Sequence, residues 1–480
     1  MRFSLADSAA FARLSGDFNP LHVDPVLARR TQFGSSVVHG IHLVLHSLDA
    51  ACGERVAGGA RLSAITCTFH GPVHTDSGVS VKAAYDADGR RIRLVGQSSG
   101  RAAFSAVVEF DPAASGGVSR APDDGEFEPT APRTRALPRE NDAGIVEHRL
   151  SVAGLHRLFP ALARATDTRW IADLLGTTRI VGMECPGLHS IYAAFKLHAT
   201  SPDAAVTPAL RYAVRKSDAR FGMVRMDVAG MALGGSIEAF VRPLPVDQMS
   251  LADVIGKVRP RAYEGQNALV IGGSRGIGEL TAKMLMAGGA DVTITYVRGR
   301  GDAERIRDEA QRSGRRCTVI QFDAGAAIAA PVLEAIRQGA FTHAYYFASP
   351  HIERNVSGQW DHALFDRFSA VYVHGFAAVC EALLARNGRG AGVTRFFFPS
   401  TVFLDHPSKG FAEYCAAKAA GEFVCDYLAE CHGAAVARPR MPRMRTDQTS
   451  GLQSGETQDA FDIMAALLPE FHDGAVAPAR

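Results

Sequence analysis

The sequence predicts two kinds of fold in one chain, an α+β part towards the N-terminus and an α/β part with a doubly wound parallel sheet towards the C-terminus. Residues 62–110 alternate apolar and polar side chains after an apolar helical run, which is typical of antiparallel strands packed against one helix. The same alternation returns over residues 188–241. From residue 267 onward, short apolar strands alternate with helices around a glycine-rich turn, which indicates a βαβ arrangement.

Composition narrows the class of protein. The 480 residues are 47% hydrophobic, enough for buried cores, and 52 basic against 50 acidic residues leave a net charge of +2. A net charge this small gives no electrostatic field that would favour binding to nucleic acid or to a membrane surface. The eight cysteines form no C-x-x-C pair, which indicates reduced thiols. With no visible signal peptide and no run of about 18 apolar residues, we expect a cytoplasmic protein without a membrane anchor.

The first two blocks of the chain follow one pattern. An apolar run at 41–48 predicts a helix in the first block, and alternating segments predict strands after it. In the second block Ile191 and Phe195 are spaced as Ile65 and Phe69 are in the first, so we expect a second repeat of the same fold. The predicted strands lie at residues 62–69, 80–85, 91–96 and 102–110, and again at 188–196, 211–216, 222–228 and 236–241.

One motif in the first block carries chemistry. The run SGDFNPLH at residues 15–22 places the carboxylate of Asp17 and the imidazole of His22 five residues apart around an Asn-Pro turn. A carboxylate and a histidine held together can activate one water, as the addition of water to an activated double bond requires. The alternative is that these residues only form a turn, which Asn before Pro favours in any protein.

This motif, together with His39-Gly40, resembles that of the MaoC-like, (R)-specific enoyl-thioester hydratases and dehydratases, which are built on a hotdog fold. The resemblance implies that Asp17 and His22 are the catalytic pair. It also places Asn19, His39 and Gly40 at the substrate, with a helix N-terminus polarising the thioester carbonyl. The second block lacks the motif and resembles the non-catalytic half of a double hotdog. Four of its polar residues are assigned to structural hydrogen bonds rather than to a second site: Glu184, Cys185, His189 and Tyr192.

A glycine-rich turn opens the third block. Gly272, Gly276 and Gly278 follow a predicted strand at 267–271 and precede a predicted helix at 279–286. Glycines allow a tight turn and a close backbone approach, and the helix N-terminus attracts a pyrophosphate. The turn therefore predicts a dinucleotide site, the alternative being an ordinary strand-to-helix turn. Further strands are predicted at residues 291–297, 316–322, 343–347 and 394–399.

Tyr414 and Lys418, with Ser400 or Thr401 upstream, resemble the active site of the short-chain dehydrogenase/reductase family, here of the 3-oxoacyl-thioester reductase type. A free tyrosine is a poor acid–base catalyst at neutral pH, and a lysine one helical turn away lowers its pKa. The resemblance implies that Tyr414 is the acid/base, that Lys418 also holds the ribose, and that Ser400 or Thr401 holds the substrate carbonyl. Thr401 has the better spacing and Ser400 is the commoner residue type, so both remain open.

Charge around the nucleotide favours NADP(H) over NAD. Arg298 and Arg300 follow the second strand of this block, where a carboxylate would select NAD, and Arg275 lies in the glycine turn. No metal is expected. The helix asparagine of the family's proton relay appears as Tyr372, so Tyr372 or His374 is left as its substitute. The resemblance places cofactor contacts at Gly272, Ser274, Arg275, Gly276, Ile277, Gly278, Arg298, Asp323, Ala348, Lys418 and Thr446.

These features predict a division into five segments and a pair of consecutive reactions. We expect an NADPH-dependent 3-oxoacyl-thioester reductase fused to a 3-hydroxyacyl-thioester dehydratase or enoyl hydratase, in fatty-acid- or polyketide-type metabolism. Its substrates would be thioesters of coenzyme A or of an acyl carrier protein, and the chain would form a homodimer. The alternatives are a hydratase whose reductase-like domain only binds NADP, and a non-catalytic protein that docks acyl carriers. The segments are a catalytic hotdog at 1–112, a linker at 113–142, a second hotdog at 143–245, a linker at 246–265 and the reductase domain at 266–480.

Overall fold

The computed structural model describes residues 1–55, 61–111, 121, 123–165, 167–200, 209–385, 395–449 and 456–473. The chain divides into two units, Met1–Leu244 and Pro245–Arg480. The first unit contains the antiparallel strands and the second the parallel ones. The finer division into five segments stays a prediction.

The first unit consists of helices packed on antiparallel strands. Its first helix begins with a capping box, in which the Ser4 hydroxyl accepts from the Asp7 backbone and the Asp7 carboxylate accepts from Ser4. The helices are α1 (Leu5–Ser15), α2 (Pro20–Val23), α3 (Pro25–Ala28), α4 (Gly40–Arg55), α5 (Val152–Leu158), α6 (Pro160–Ala165) and α7 (Thr168–Arg179), which continues into a π-helical turn, Ile180–Glu184. The strands are β1 (Arg61–Phe69), β2 (Val79–Tyr85), β3 (Arg91–Ser98), β4 (Arg101–Asp111), β5 (Ala143–Glu147), β6 (Ser190–Ala199), β7 (Ala209–Asp218), β8 (Met223–Ala229) and β9 (Leu233–Val241).

The strands of this unit form one sheet with an internal symmetry. Its order is β2-β3-β4-β1-β6-β9-β8-β7-β5. Read outward from the central β1–β6 pair, where Cys67 lies opposite Phe195, both halves have the same strand order. The predicted strands of both blocks are confirmed. Strand β5, which lies at the edge of the second half, was not predicted, because its five residues lack a clear alternation.

One helix in each half packs on this sheet. Ile41 and Val44 of α4 and Ile171 and Leu174 of α7 belong to one buried core that spans both halves. The periodicity of the first block predicted α4, but no pattern predicted α7. Ten of its twelve residues are buried, including polar ones such as Asp173, Thr177 and Thr178, so its burial does not follow the apolar pattern of its sequence.

Part of the predicted linker 113–142 is packed rather than free. The Asp124 backbone donates to the Leu150 carbonyl, and the Phe127 backbone donates to the Arg13 carbonyl. The Phe127 ring also lies 4.6 Å from the Arg179 guanidinium. The composition of this segment suggested a spacer, whereas these contacts attach it to α1 in the first half and to α7 in the second.

The second unit is a parallel sheet flanked by helices, as predicted. The six-stranded sheet has the order β12-β11-β10-β13-β14-β16 and is parallel throughout, and β15 pairs with β17 beside it. Its strands are β10 (Asn267–Ile271), β11 (Asp291–Tyr296), β12 (Cys317–Gln321), β13 (His343–Tyr346), β14 (Arg395–Phe397), β15 (Ser400–Thr401), β16 (Ala435–Ala437) and β17 (Arg440–Met441). Its helices are α8 (Leu251–Ile255), α9 (Gly276–Ala287), α10 (Arg300–Arg312), α11 (Ala330–Gln338), α12 (His362–Ser369), α13 (Phe376–Leu384), α14 (Ala412–His432) and α15 (Ala460–Asp473).

The chain order reverses at β10, which lies between β11 and β13. In open parallel sheets, ligands bind at the carboxyl ends of the strands where the order reverses. The glycine turn follows β10, so it lies at this edge. The segment 246–265, predicted as a linker, instead contributes α8, whose Leu251 and Val254 are buried in the core of this unit.

Helices α12 and α13 are joined by a π-helical turn, Ala370–Gly375, into one helix. Among the described residues, this helix, His362–Leu384, is long and apolar enough by length and composition to cross a membrane. Half of its most apolar window is buried within the fold, and core helices of soluble proteins pass the same test. The sequence prediction counted unbroken apolar runs, which Asp366 and Arg367 interrupt.

Candidate active sites

Neighbouring residues in the sequence determine the conformation of the turn that carries Asp17 and His22. Helix α1 ends at Ser15, and Gly16 takes a left-handed conformation with φ of 76°. The Asn19 side chain then caps α2 by accepting from the Leu21 backbone, with Pro20 at the first helical position. The chain therefore reverses between Asp17 and His22, and both side chains reach one site.

Asp17 is buried, and the second half of the unit holds its carboxylate. Oδ2 accepts a 2.7 Å hydrogen bond from the Thr178 hydroxyl, while Oδ1 accepts from the Asn19 backbone at 3.2 Å. Gly182, in the π-helical turn, lies so close that a Cβ there would be 2.2 Å from Oδ1. Burial raises the pKa of Asp17, and the neighbouring His22 and the bond from Thr178 act in the opposite direction.

His22 is held with one ring nitrogen available. Its Nδ1 lies 2.7 Å from the Val37 carbonyl, which only accepts, so Nδ1 carries the proton and Nε2 of the neutral ring is a base. Burial lowers the pKa of His22, although Asp17 counteracts this. The His39 ring stacks on it with centroids 3.9 Å apart, and His39 Nε2 lies 3.0 Å from the Asp17 carbonyl. His39 therefore orients both members of the pair.

These groups can hold one water and polarise one carbonyl. Ligand atoms of Asp17, His22 and His39 all lie within 4.8 Å of one another. Helix α4 begins at Gly40, next to His39, and its first turn offers backbone N–H groups to an oxyanion. A Cβ at Gly40 would lie 2.6 Å from the Phe69 ring, so only glycine fits there.

The same three side chains are close enough to hold a metal ion. Two of their ring nitrogens are already bonded to carbonyl groups, His22 Nδ1 to Val37 and His39 Nε2 to Asp17. The expectation of a metal-free site stays a prediction.

Asn19 differs from its predicted place at the substrate. Its amide nitrogen donates to the carbonyl oxygens of Gly182, Gly187 and Leu188, at 2.9 to 3.3 Å. The side chain therefore joins the catalytic turn to the second half of the unit, and its donors are occupied. The carbonyls that it meets are more than 160 residues away in sequence, so no local pattern could have shown this.

Thr178 and Gly182 are site residues that sequence reasoning missed. Both lie in the half that lacks the motif, on α7 and its π-helical continuation. No spacing connects them to Asp17, because the two halves meet only in the folded unit.

The glycine turn of the second unit has the geometry of a phosphate site. Gly272 and Gly276 have φ of 76° and 57°, which favours glycine. A Cβ at Gly278 would lie 2.3 Å from the Gly272 carbonyl, and one at Gly272 would lie 2.7 Å from the Ala348 backbone nitrogen. Helix α9 begins at Gly276, so its N-terminus faces the turn.

Other predicted cofactor contacts are distributed around this turn. Thr446 is buried and its methyl group would be 3.9 Å from a Cβ at Gly276. Arg275 reaches to within 3.9 Å of the buried Asp447 carboxylate. Asp323 and Arg298 are exposed after β12 and β11. The glycine turn and the N-terminus of α9 suit the pyrophosphate of a dinucleotide, and Arg298 lies after the second strand of this unit.

Tyr414 and Lys418 lie on one face of α14. Burial raises the pKa of Tyr414 to about 12, although Thr401 acts against it, so the lowering by Lys418 that the sequence predicted is not found. Burial lowers the pKa of Lys418 to about 7. Its ammonium donates to the Pro399 carbonyl at 2.7 Å and lies 3.9 Å from the centre of the Tyr372 ring.

The two candidates for the substrate-holding hydroxyl have different hydrogen-bond partners. The Ser400 hydroxyl donates to Glu422, which is also paired with Arg440. The Thr401 hydroxyl oxygen instead accepts from the Phe403 backbone at 3.2 Å, and Thr401 acts to lower the pKa of Tyr414. The choice between the two hydroxyls stays a prediction, with Thr401 favoured.

Tyr372, rather than His374, occupies the place of the relay asparagine. Tyr372 is buried and its hydroxyl lies 2.7 Å from the Ser349 hydroxyl, whereas His374 is exposed. Ser349 donates onward to the Pro350 carbonyl at 2.8 Å. This chain of hydroxyls ends at a carbonyl, which cannot pass a proton on.

Comparison with known proteins finds a family match in each unit of the chain. Residues 1–98 match the MaoC like domain family, and residues 266–435 match the short chain dehydrogenase family. An (R)-specific enoyl-CoA hydratase from Aeromonas caviae is 46% identical over 57 residues, which are 12% of this chain and 42% of that protein. A peroxisomal hydratase-dehydrogenase-epimerase from Saccharomyces cerevisiae is 57% identical over 35 residues, or 7% of this chain and 4% of that protein.

The chain thus covers less than half the length of either curated relative. Among solved structures, a short chain dehydrogenase from Burkholderia cenocepacia in complex with NADP aligns with 44% of this chain and 91% of its own. It has 23% sequence identity and a TM-score of 0.38.

Proposed function

We propose that this chain, which carries a MaoC-like domain and a short-chain dehydrogenase domain, catalyses two consecutive reactions on acyl thioesters. The second unit reduces a 3-oxoacyl thioester with NADPH, and the first unit removes water from the 3-hydroxyacyl product or adds it to the 2-enoyl form. The observation that carries the proposal is the buried Asp17 carboxylate within 4.8 Å of ring nitrogens of His22 and His39, the residue that precedes helix α4. The match of residues 1–98 to the MaoC like domain supports it.

The first site would work through one water held by Asp17 and His22. In hydration, the pair takes one proton from the water as its oxygen bonds to C3 of the enoyl group. The electron pair of the double bond moves towards the thioester carbonyl, whose oxygen is stabilised by the first turn of α4. C2 then takes a proton from the pair, so both hydrogens and the oxygen of water end on the substrate. Dehydration is the reverse.

In the second site, Tyr414 would donate its proton to the substrate carbonyl oxygen, with Thr401 bonded to the same oxygen. NADPH supplies the hydride when it is bound. Because burial raises the pKa of Tyr414 to about 12, this tyrosine is protonated at neutral pH. The Lys418 ammonium stabilises the phenolate that remains.

The fold of the first unit supports a double hotdog. Both halves have the same strand order about the β1–β6 pair, and each packs one helix on the sheet. The second half supplies Thr178 and Gly182 to the site but has no Asp-His motif of its own. We propose one hydratase site per chain.

A hydration assay tests the first site. Wild-type protein should hydrate crotonyl thioester, and Asp17→Asn or His22→Ala should reduce kcat by a factor of at least about 100. Asp24→Asn, which removes a carboxylate that only caps α3, is the matched control and should retain the rate. Full hydration by the Asp17 and His22 variants would rule out these residues as the catalytic pair. Absence of hydration by wild-type protein that still binds acyl thioesters would favour a non-catalytic acyl-carrier docking protein.

NADPH oxidation with a 3-oxoacyl thioester tests the second site. Turnover should be lost in Tyr414→Phe and retained in Tyr427→Phe, a tyrosine on the exposed face of the same helix. The blocked hydroxyl chain from Tyr372 to Pro350 favours one other candidate, a reductase-like domain that binds NADP without turnover. Binding of NADPH with no oxidation by wild-type protein would establish that candidate instead.

The proposal includes partners and a compartment. The acyl group would be carried by coenzyme A or by a carrier protein, and the eight free cysteines suit a reducing compartment such as the cytoplasm. A homodimer is supported by Phe423 and Tyr427, which are 71% and 51% exposed one turn apart on α14. Light scattering of wild-type protein and of Phe423→Glu would test the dimer.

A further inference from the structure

Arg242 is a buried arginine with few partners. It follows β9, is 5% exposed, and its Nη2 donates to the Leu188 carbonyl at 2.8 Å. Its Nε is buried and has no hydrogen-bond partner, and no carboxylate among the described residues pairs with it. Burial lowers the pKa of Arg242 to about 10, so it remains charged at neutral pH.

A buried charge without a counter-charge is unfavourable for the fold alone. Buried charges in proteins are normally paired or bound to an ion, because removing them from water is costly. The arginine also presents donors in a planar fork that fits a carboxylate or a phosphate. These properties point to an anion that comes with a ligand.

The position of Arg242 connects it to the hydratase site. The Leu188 carbonyl that accepts from Arg242 also accepts from the Asn19 amide at 3.3 Å, so the guanidinium lies beside the catalytic turn. The positive charge of Arg242 contributes to lowering the pKa of His22 and of His189.

His189 adds a second unpaired donor at the same place. Its carbonyl accepts from the Arg242 backbone at 2.7 Å, and its Nδ1 is buried without a hydrogen-bond partner. The sequence had assigned His189 to a structural hydrogen bond at a strand start. The described structure shows no such bond for this nitrogen, and the positive charge of Arg242 acts on the His189 ring.

The distance of each anionic group from the thioester decides which of them can reach Arg242. The phosphate of a coenzyme A or carrier-protein arm is separated from the thioester by the whole pantetheine chain. Arg242 lies beside the turn that carries the reacting pair. A carboxylate on the acyl group itself is the anion that reaches it.

We propose that Arg242, assisted by His189, forms a carboxylate-binding subsite that makes the hydratase site selective for short acyl thioesters with a terminal carboxylate. This inference rests on the proposed hydratase function. It assigns substrate recognition to the half of the unit that has no catalytic motif. Water still adds with its hydroxyl on C3 and its proton on C2.

Paired substrates test this selectivity. For wild-type protein, kcat/KM with trans-butenedioyl coenzyme A should exceed that with crotonyl coenzyme A at least about tenfold, since a missing charge partner is strongly discriminated. In Arg242→Met this ratio should fall at least about tenfold. Arg242→Lys, which keeps the charge, should retain part of it. Arg211→Met, an exposed arginine on β7, is the matched control and should leave the ratio unchanged.

A binding measurement separates this inference from the proposed function. Calorimetry should show that unreactive butanedioyl coenzyme A binds wild-type protein at least about tenfold more tightly than butanoyl coenzyme A. Hydration of both enoyl substrates with equal kcat/KM would overturn the subsite alone. Absence of any hydration with preserved selective binding would overturn the hydratase and leave the subsite.

Pantetheine thioesters, which carry no phosphate, identify the anion. If the effect of Arg242→Met persists with them, the acyl carboxylate is the group bound. If the effect disappears, Arg242 binds a phosphate of the carrier and the proposal is wrong. The comparison of butanedioyl with butanoyl coenzyme A uses wild-type protein alone, so a poorly folded variant does not prevent the test.

Discussion

At the scale of single residues, Asp17 depends on a hydroxyl that is 161 positions away in the chain. The bond from Thr178 stabilises the ionised carboxylate against burial. Thr178→Val removes it, so the pKa of Asp17 should rise further. The acid limb of the hydration rate should then move to higher pH, and kcat at neutral pH should fall about tenfold. A pH–rate profile measures both.

Thr177→Val is the matched control for that change. The Thr177 hydroxyl is buried next to Thr178 but bonds to the Leu174 carbonyl of its own helix at 2.7 Å. This variant should leave the acid limb in place. An unmoved limb in Thr178→Val would contradict the role given to Thr178.

Lys418 gives the reductase site a pH dependence near neutrality. With its pKa lowered to about 7, the side chain is charged below that pH and loses its charge above it. Because the proposed reaction uses the positive charge of Lys418, one helical turn from Tyr414, kcat/KM for NADPH should fall as the pH rises through 7. In Lys418→Arg, which stays charged, this fall should be absent. A wild-type rate that is constant to pH 9 would contradict the assignment.

At the scale of elements, the π-helical turn after α7 allows the close approach of the second half to Asp17. Gly182→Ala would place a Cβ 2.2 Å from the carboxylate, which must then move. We expect hydration to fall at least about 100-fold, since misplaced catalytic groups lose rate steeply. Reduction, measured in the same preparation, should not change.

Gly176→Ala provides the comparison within the same helix. A Cβ there would meet the end of the Leu210 side chain at 2.9 Å, and a flexible side chain can shift. Hydration should stay close to the wild-type rate. Equal losses in both variants would indicate general damage to the helix and not a specific contact with Asp17.

Elements also show what the sequence could and could not predict. The motif around Asp17 and the repeated strands follow local patterns, and the structure confirms the strands. Helix α7 was not predicted, and its polar residues Asp173 and Thr178 are buried together with its apolar ones. Thr178, Gly182 and Arg242 escaped because they reach the site through tertiary contacts, and no sequence spacing encodes them. Asn19 was predicted at the substrate from its place in the motif, but its amide donates to carbonyl groups of the other half of the unit.

At the scale of the whole molecule, the two proposed chemistries are assigned to different units of the chain. Asp17→Asn should therefore stop dehydration and leave NADPH oxidation with a 3-oxoacyl thioester within about twofold of wild type. Mass spectrometry should find the 3-hydroxyacyl thioester accumulating in place of the enoyl product. Loss of both activities would mean that the variant damages more than the first site.

The central β1–β6 pair has one more consequence. Two identical halves joined by such a pair would have to carry two identical sites, and any change in one would appear in the other. When the two halves are joined in one chain, their sequences can differ. One half can keep the reacting groups while the other half changes in the residues that contact the substrate. A buried arginine at the end of β9 is the kind of change that only an asymmetric pair can accommodate.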